Sequence, residues 1–184
     1  MKKIFTFLCL AAIAALLSGC AAGGIGKVSA GGKADGVLGD ATTKLMDDTP
    51  SRVHNIELAM ERIKTCTLKP GDEFSFNGVV GERTAEGGYQ EAVALFQTEK
   101  VMEIGGGVCQ LSTTIYQAAK SAGMKITERH QHKKKIPYAK KGEDATVDYA
   151  AKLDLKFTNT TGKTVKLDCG ITDGELTVTI AEAK

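Results

Sequence analysis

Three consecutive glycines, Gly105-Gly106-Gly107, stand directly before Val108-Cys109-Gln110-Leu111-Ser112-Thr113-Thr114-Ile115-Tyr116. Each glycine costs backbone entropy that a packed helix or strand would retain, so the triplet argues for a tight turn with a close backbone approach. Beyond it the pattern becomes helical: Leu111, Ile115, Ala118, Ala119 and Ala122 share one face, and Gly123 supplies the stop. Cys109 therefore falls at or just before the first turn of a helix. Unpaired N–H groups and the positive end of the helix dipole favour a thiolate there. The amides of a glycine-rich turn can also hold a developing oxyanion. The pattern points to a cysteine nucleophile; the alternative is a small buried cysteine at a helix start.

Residues 1–20 read as an export signal. Lys2 and Lys3 form its positive region, Ile4 to Leu17 its apolar core, and Leu17-Ser18-Gly19-Cys20 its small-residue end. That end resembles the lipobox of bacterial lipoproteins, in which Cys20 carries the lipid and becomes the mature N-terminus. The chain has 24 Lys and Arg against 22 Asp and Glu, and the excess is Lys2 and Lys3. The remainder is neutral, which gives no electrostatic case for nucleic acid. Outside the cytoplasm disulfides persist. With Cys9 in the signal and Cys20 on lipid, Cys66, Cys109 and Cys169 remain, an odd set that implies at least one free thiol. Cys66 with Cys169 is one possible pairing.

Residues 21–50, rich in Gly and Ala and without an aromatic, read as a flexible tether. Residues 51–184 are long enough for one domain with its own core. It opens on an amphipathic helix that Ser51 can cap, with Val53, Ile56, Ala59, Met60 and Ile63 as its buried stripe, ending near Cys66 to Leu68. Pro70-Gly71 is a turn and Glu73 to Asn77 a short strand. Tyr89 to Phe96 and Val101 to Ile104 form a hairpin leading into the glycines. Lys125 to His130, Ala145 to Tyr149, Leu153 to Phe157, Thr164 to Ile171 and Glu175 to Ile180 read as strands. The last two are joined through Thr172-Asp173-Gly174. The expected class is α+β: a mostly antiparallel sheet, a central helix carrying Cys109 at its N-terminus, and the amphipathic N-terminal helix.

The chemistry depends on what surrounds Cys109. His54 belongs to the first helix. His130 and His132 are two apart, so on a strand they share a face. Either could take the thiol proton, and Asp144 is the carboxylate that could fix the imidazole tautomer. His132, at the edge of a loop, is the expected base, with His130 the lesser candidate. A rival reading joins His130, His132, Cys109 and Asp144 around zinc. The lysines from Lys133 to Lys141 make a basic loop suited to carboxylates or simply to solvent.

Several long motifs in order resemble the VanW family, over residues from about Arg52 to Ile171. They are Asn55-Ile56-Glu57-Leu58-Ala59, Pro70 through Asn77, Val80-Gly81-Glu82-Arg83-Thr84, Gly88-Tyr89, the glycine–cysteine block through Tyr116, Glu128-Arg129-His130-Gln131-His132, Gly142 through Val147, and Asp154-Leu155-Lys156-Phe157. Lys133-Lys134-Lys135 departs from the family pattern. The resemblance implies a cell-wall enzyme, a cysteine L,D-transpeptidase forming 3-3 peptidoglycan crosslinks, or a carboxypeptidase where water is the acceptor. It implies stem peptides as partners; no cofactor is expected, and the export signal with Cys20 gives an extracytoplasmic place anchored to the membrane. The oxyanion donors expected on this view are the backbone of Gly106, Gly107 and Gln110, and the substrate contacts are Arg83, Ser112, Thr113 and Tyr138. The alternatives are a non-catalytic wall-binding lipoprotein and a zinc-dependent hydrolase.

Overall fold

The computed structural model describes residues 36–45, 47–96 and 99–183. In chain order the elements are β1 (Val37–Lys44), α1 (Pro50–Lys64), β2 (Thr67–Leu68), β3 (Glu73–Ser75), α2 (Phe76–Val80), β4 (Glu91–Phe96) and β5 (Glu99–Ile104). Then follow α3 (Val108–Ser121), β6 (Lys125–Glu128), β7 (Lys156–Thr158), β8 (Val165–Thr172) and β9 (Glu175–Glu182). The strands make three sheets, ordered β1-β9-β8-β2, β3-β7-β6 and β4-β5, and every pairing is antiparallel. This is the expected α+β class.

Helix α3 is the centre of the packing. It lies against β1 and β9 on one side and α1 on another. Nearly its whole circumference is covered, from Val108 and Leu111 to Ile115, Ala118 and Ala119. Ile56 and Ile63 of α1 meet it in one apolar core with Leu167, Leu176, Val178 and Ile180 of the main sheet. Phe74 and Phe157 stack at 4.7 Å between the paired strands β3 and β7. The β8–β9 hairpin turns on Asp173 and Gly174, both at positive φ, as the Asp-Gly signal requires.

Several expectations need correction. The tether does not run to residue 50, because Val37–Lys44 is strand β1, paired with β9 along Val37 to Lys44. Its small residues, which suggest flexibility, are what let it lie close to α3. A Cβ on Gly39 would stand 2.4 Å from the Ala122 nitrogen. The export signal, Cys20 and the first part of the tether lie outside the described residues. Thr49 rather than Ser51 is the N-cap of α1, with Pro50 at the first position, and its side chain makes no capping bond. The helix stops at Lys64, and Thr67–Leu68 already pairs with β8.

Ala145 to Tyr149 makes only isolated bridges, His130 with Thr146 and Asp148 with Leu153, instead of forming a strand. Cys66 and Cys169 are free thiols. Burial pushes the Cys66 thiol up and the Cys169 thiol to about 12, so neither site favours a thiolate. Among the described residues no helix is long and apolar enough to cross a membrane.

One buried carboxylate ties the middle of the chain together. Asp154 accepts from Ser75 Oγ at 2.6 Å and from the amides of Asn77 and Leu155, each at 2.8 Å. It thereby fixes the start of α2 against β7. Asp154→Ala leaves these donors without their acceptor. An expected loss of about 2–4 kcal/mol follows, to be read from the shift in urea midpoint.

Candidate active site

Cys109 occupies the second position of α3, behind the glycine turn. The turn closes on itself: the Val108 amide donates to Gly105 O at 3.2 Å and the Gln110 amide to Gly107 O at 2.9 Å. Gly107, at φ 107°, is the helix N-cap. A Cβ there would lie 2.9 Å from Arg52 Cγ, so position and conformation both demand glycine. Gly107→Ala is expected to cost about 1–3 kcal/mol and to displace Cys109. Thermal melting and thiol alkylation should both register it.

The thiol is half-buried. Its Sγ lies 3.5 Å from Thr146 Oγ1 and 3.4 Å from Val147 O, on the bridged segment after Asp144. Its third partner is the His132 imidazole. The His132 Nδ1 lies 2.7 Å from Asp144 Oδ2, and the same oxygen accepts the His132 amide at 2.7 Å. With Nδ1 engaged by the carboxylate, Nε2 is the nitrogen that meets Cys109. Asp144 is in turn held by Arg129, whose Nε donates to Asp144 O at 2.6 Å and whose Nη2 lies 3.7 Å from Oδ1. The Arg129 guanidinium rests on the Tyr116 ring of α3 at 4.7 Å from its centroid. Helix, loop and bridge are thus locked in one chain of contacts, Cys109–His132–Asp144–Arg129.

The electrostatics follow from this. Burial alone would raise the Cys109 thiol. The His132 hydrogen bond and charge outweigh it, helped by the Val147 backbone and the Thr146 hydroxyl, and hold it below the usual thiol range. For His132, burial opposes protonation, but Cys109 and then Asp144 raise its pKa. Thiol down and imidazole up is the pattern of a thiolate–imidazolium pair.

The remaining expected residues fall in different places. His130 turns away to Glu128, with Nε2 2.9 Å from Oε1. The zinc reading fails on that geometry, and among the described residues no three His, Cys, Asp or Glu side chains gather as a metal would need. Ser112 and Thr113 are fully buried and are not among the residues that line the cleft. Ser112 Oγ donates to Ala145 O at 2.7 Å, while Thr113 Oγ1 lies 3.2 Å from that oxygen and accepts the Ala145 amide at 3.1 Å. They clamp the Asp144–Ala145 segment to α3, a structural use that helical spacing could not reveal. Of the expected oxyanion donors, the Gly106 amide is already bonded to Glu103 O at 3.1 Å and the Gln110 amide to Gly107 O. The amides of Gly107 and Cys109 make no such bond among the described residues.

Tyr138 stands edge-on to His132, ring centres 6.4 Å apart, with its hydroxyl bonded to Thr113. Arg83 donates to Asn77 Oδ1 at 2.7 Å and Gly81 O at 2.9 Å, and its guanidinium lies over the Tyr149 ring. Both Arg83 and Tyr138 line a cleft of about 840 Å³ that contains Cys109 and His132. Lys133, Lys134 and Lys135 form part of its rim. Arg52, Arg129 and Thr146 also belong to the site, though no helical or strand spacing singles them out as such. Arg52 left a trace: it is a charge at a stripe position of α1, four residues before Ile56.

A thiol, an imidazole and a carboxylate in series at a helix start, on an α+β frame, define a Cys–His–Asp site. The chain belongs to the VanW family: residues 51–181 match the family described as VanW like protein. It is 34% identical over 143 residues to the uncharacterized protein YoaR of Bacillus subtilis (strain 168), covering 78% of this chain and 47% of that protein. It is 28% identical over 122 residues to the vancomycin B-type resistance protein VanW of Enterococcus faecalis (strain ATCC 700802 / V583), covering 64% and 44%. The chain therefore spans a little under half the length of each of these curated relatives. No solved structure matches it.

Proposed function

We propose that the protein is a cysteine acyl-transfer enzyme of the cell envelope, acting on peptidoglycan stem peptides as an L,D-transpeptidase that forms 3-3 crosslinks. The observation that carries this reading is the Cys109–His132–Asp144 series on the floor of an open cleft. The Cys109 thiolate attacks the carbonyl between the third and fourth residues of a stem peptide. The amides of Cys109 and Gly107, at the positive end of α3, receive the oxyanion. The carbon–nitrogen bond breaks, the amine of the fourth residue leaves with the proton from His132, and a thioester remains. An amine of a second stem then attacks the thioester, giving its proton to His132, and the thiolate is restored. With water in place of the amine, the same steps give a carboxypeptidase.

The wall setting is supported by the enterococcal relative, named for resistance to vancomycin, a wall-directed antibiotic. Export by residues 1–20 and a lipid on Cys20 would hold the protein at the outer membrane face where such peptides lie. The test is incubation of the protein with disaccharide-tetrapeptide muropeptides, followed by mass spectrometry. Expected products are the thioester on Cys109, the released fourth residue, and a 3-3 dimer or tripeptide. Binding without any of these products would leave a wall-binding lipoprotein instead.

A further inference from the structure

The first helix places an arginine where an apolar residue is expected. Arg52 lies on the inner side of α1, 8% exposed, one turn before Asn55 and Ile56. Its stem passes beneath Gly107, where any Cβ would collide with it, and its side chain lines the cleft beside Cys109. Nη1 donates to Val93 O at 3.0 Å and Nη2 to Gln110 Oε1 at 3.1 Å. Nε, also buried, has no partner. Among the described residues no carboxylate pairs with it.

A guanidinium offers five N–H donors, and here two are engaged, both by neutral acceptors. Burying a charge without a counter-ion is unfavourable, and a purely structural bridge between α1, β4 and α3 would not need the charge. Gln110 is itself held rigidly, its amide donating to Thr43 Oγ1 at 3.1 Å and Lys44 O at 3.0 Å. Its oxygen is therefore fixed to orient the guanidinium before any ligand arrives. The charge also acts on the hydroxyl of Tyr138, the residue whose ring faces His132. A fixed guanidinium with no ion-pair partner among the described residues, set beside a nucleophile, is suited to an anion carried by the substrate close to the attacked bond. A peptide main chain has one such group, the α-carboxylate of its last residue.

We propose that Arg52 is the carboxylate-binding residue of the cleft, receiving the free α-carboxylate of the substrate's last residue so that Cys109 attacks the C-terminal amide. This rests on the acyl-transfer reading above and sharpens it: the residue released is a single free amino acid, and peptides blocked or extended at that end are poor donors. The exposed lysines Lys133 to Lys135 on the rim add attraction for anionic peptides without fixing their register.

The test compares a disaccharide tetrapeptide ending in a free carboxylate with its C-terminal carboxamide. Binding of each to full-chain Cys109→Ala is measured by calorimetry, which does not depend on turnover. The free acid is expected to bind roughly ten- to hundredfold more tightly, the usual range for one charge-assisted pair. Adding Arg52→Gln should remove that preference while leaving the amide's affinity in place, and Arg52→Lys should restore part of it. Equal affinity for acid and amide, or binding of neither, overturns the proposal. So does an Arg52→Gln variant that stays folded and weakens both ligands equally. The acid–amide contrast with Arg52 intact decides the matter even if that variant does not fold. Acylation of wild-type Cys109 by either peptide is scored separately by intact mass, so a failure of the acyl-transfer chemistry is distinguishable from a failure of Arg52.

Discussion

Cys109→Ala is expected to abolish thioester formation and muropeptide exchange while leaving the fold in place. Loss of a covalent nucleophile typically lowers turnover by on the order of 10⁶. Among the described residues no other thiol can substitute. Cys169 is buried, Cys66 lies by β2, and burial raises both, so neither offers a thiolate to the cleft. The structural cost should be small, within about 1 kcal/mol, because the change removes one half-buried sulfur whose contacts to Thr146 and Val147 are long, at 3.5 and 3.4 Å, and leaves His132 held by Asp144. Intact-mass analysis after incubation with tetrapeptide muropeptides reads the first effect, and urea denaturation the second. A variant that still releases the fourth residue would end the cysteine mechanism.

The parts of this molecule legible in the sequence are those set by local chemistry. The glycine triplet announces the turn, the 3.6-residue period α3, and Asp173-Gly174 the last hairpin. Each depends on residues a few positions apart. Strand β1 is not legible locally because Gly39 and Ala41 look flexible alone, and the partners that order them, β9 and α3, lie far along the chain. Ser112 and Thr113 illustrate the converse. Hydroxyls one turn from a nucleophile resemble substrate contacts, yet their partner is Ala145, more than thirty residues on, and no spacing rule reaches that far. Periodicity cannot choose between His130 and His132 for the same reason. Period-two logic puts them on one face, but the strand ends at Glu128 and only a single bridge at His130 follows, so the alternation lapses and the two rings meet different carboxylates.

That divergence gives the last expected result. His132→Ala should lower acylation by roughly two to four decades, the span of a lost general base, whereas His130→Ala should change it little. His130 engages Glu128, which also receives Lys156 Nζ at 2.9 Å and the Asp154 amide at 3.0 Å, so its loss is a matter of local packing. The two variants should also differ in pH dependence. In the folded protein His132 holds the Cys109 thiol below its ordinary value, so alkylation by iodoacetamide is fast at pH values where a free thiol is protonated. Reactivity is lost only as pH falls through the lowered thiol pKa. Without His132 the largest favourable contribution disappears while burial still opposes the thiolate. The rising limb should then move to higher pH, toward or beyond the ordinary thiol range. Acylation in the wild type should fall again as pH rises through the raised His132 pKa, since the leaving amine then lacks its proton donor. A Cys109 alkylation profile that stays put in His132→Ala, or shifts instead in His130→Ala, would reverse the assignment of the base.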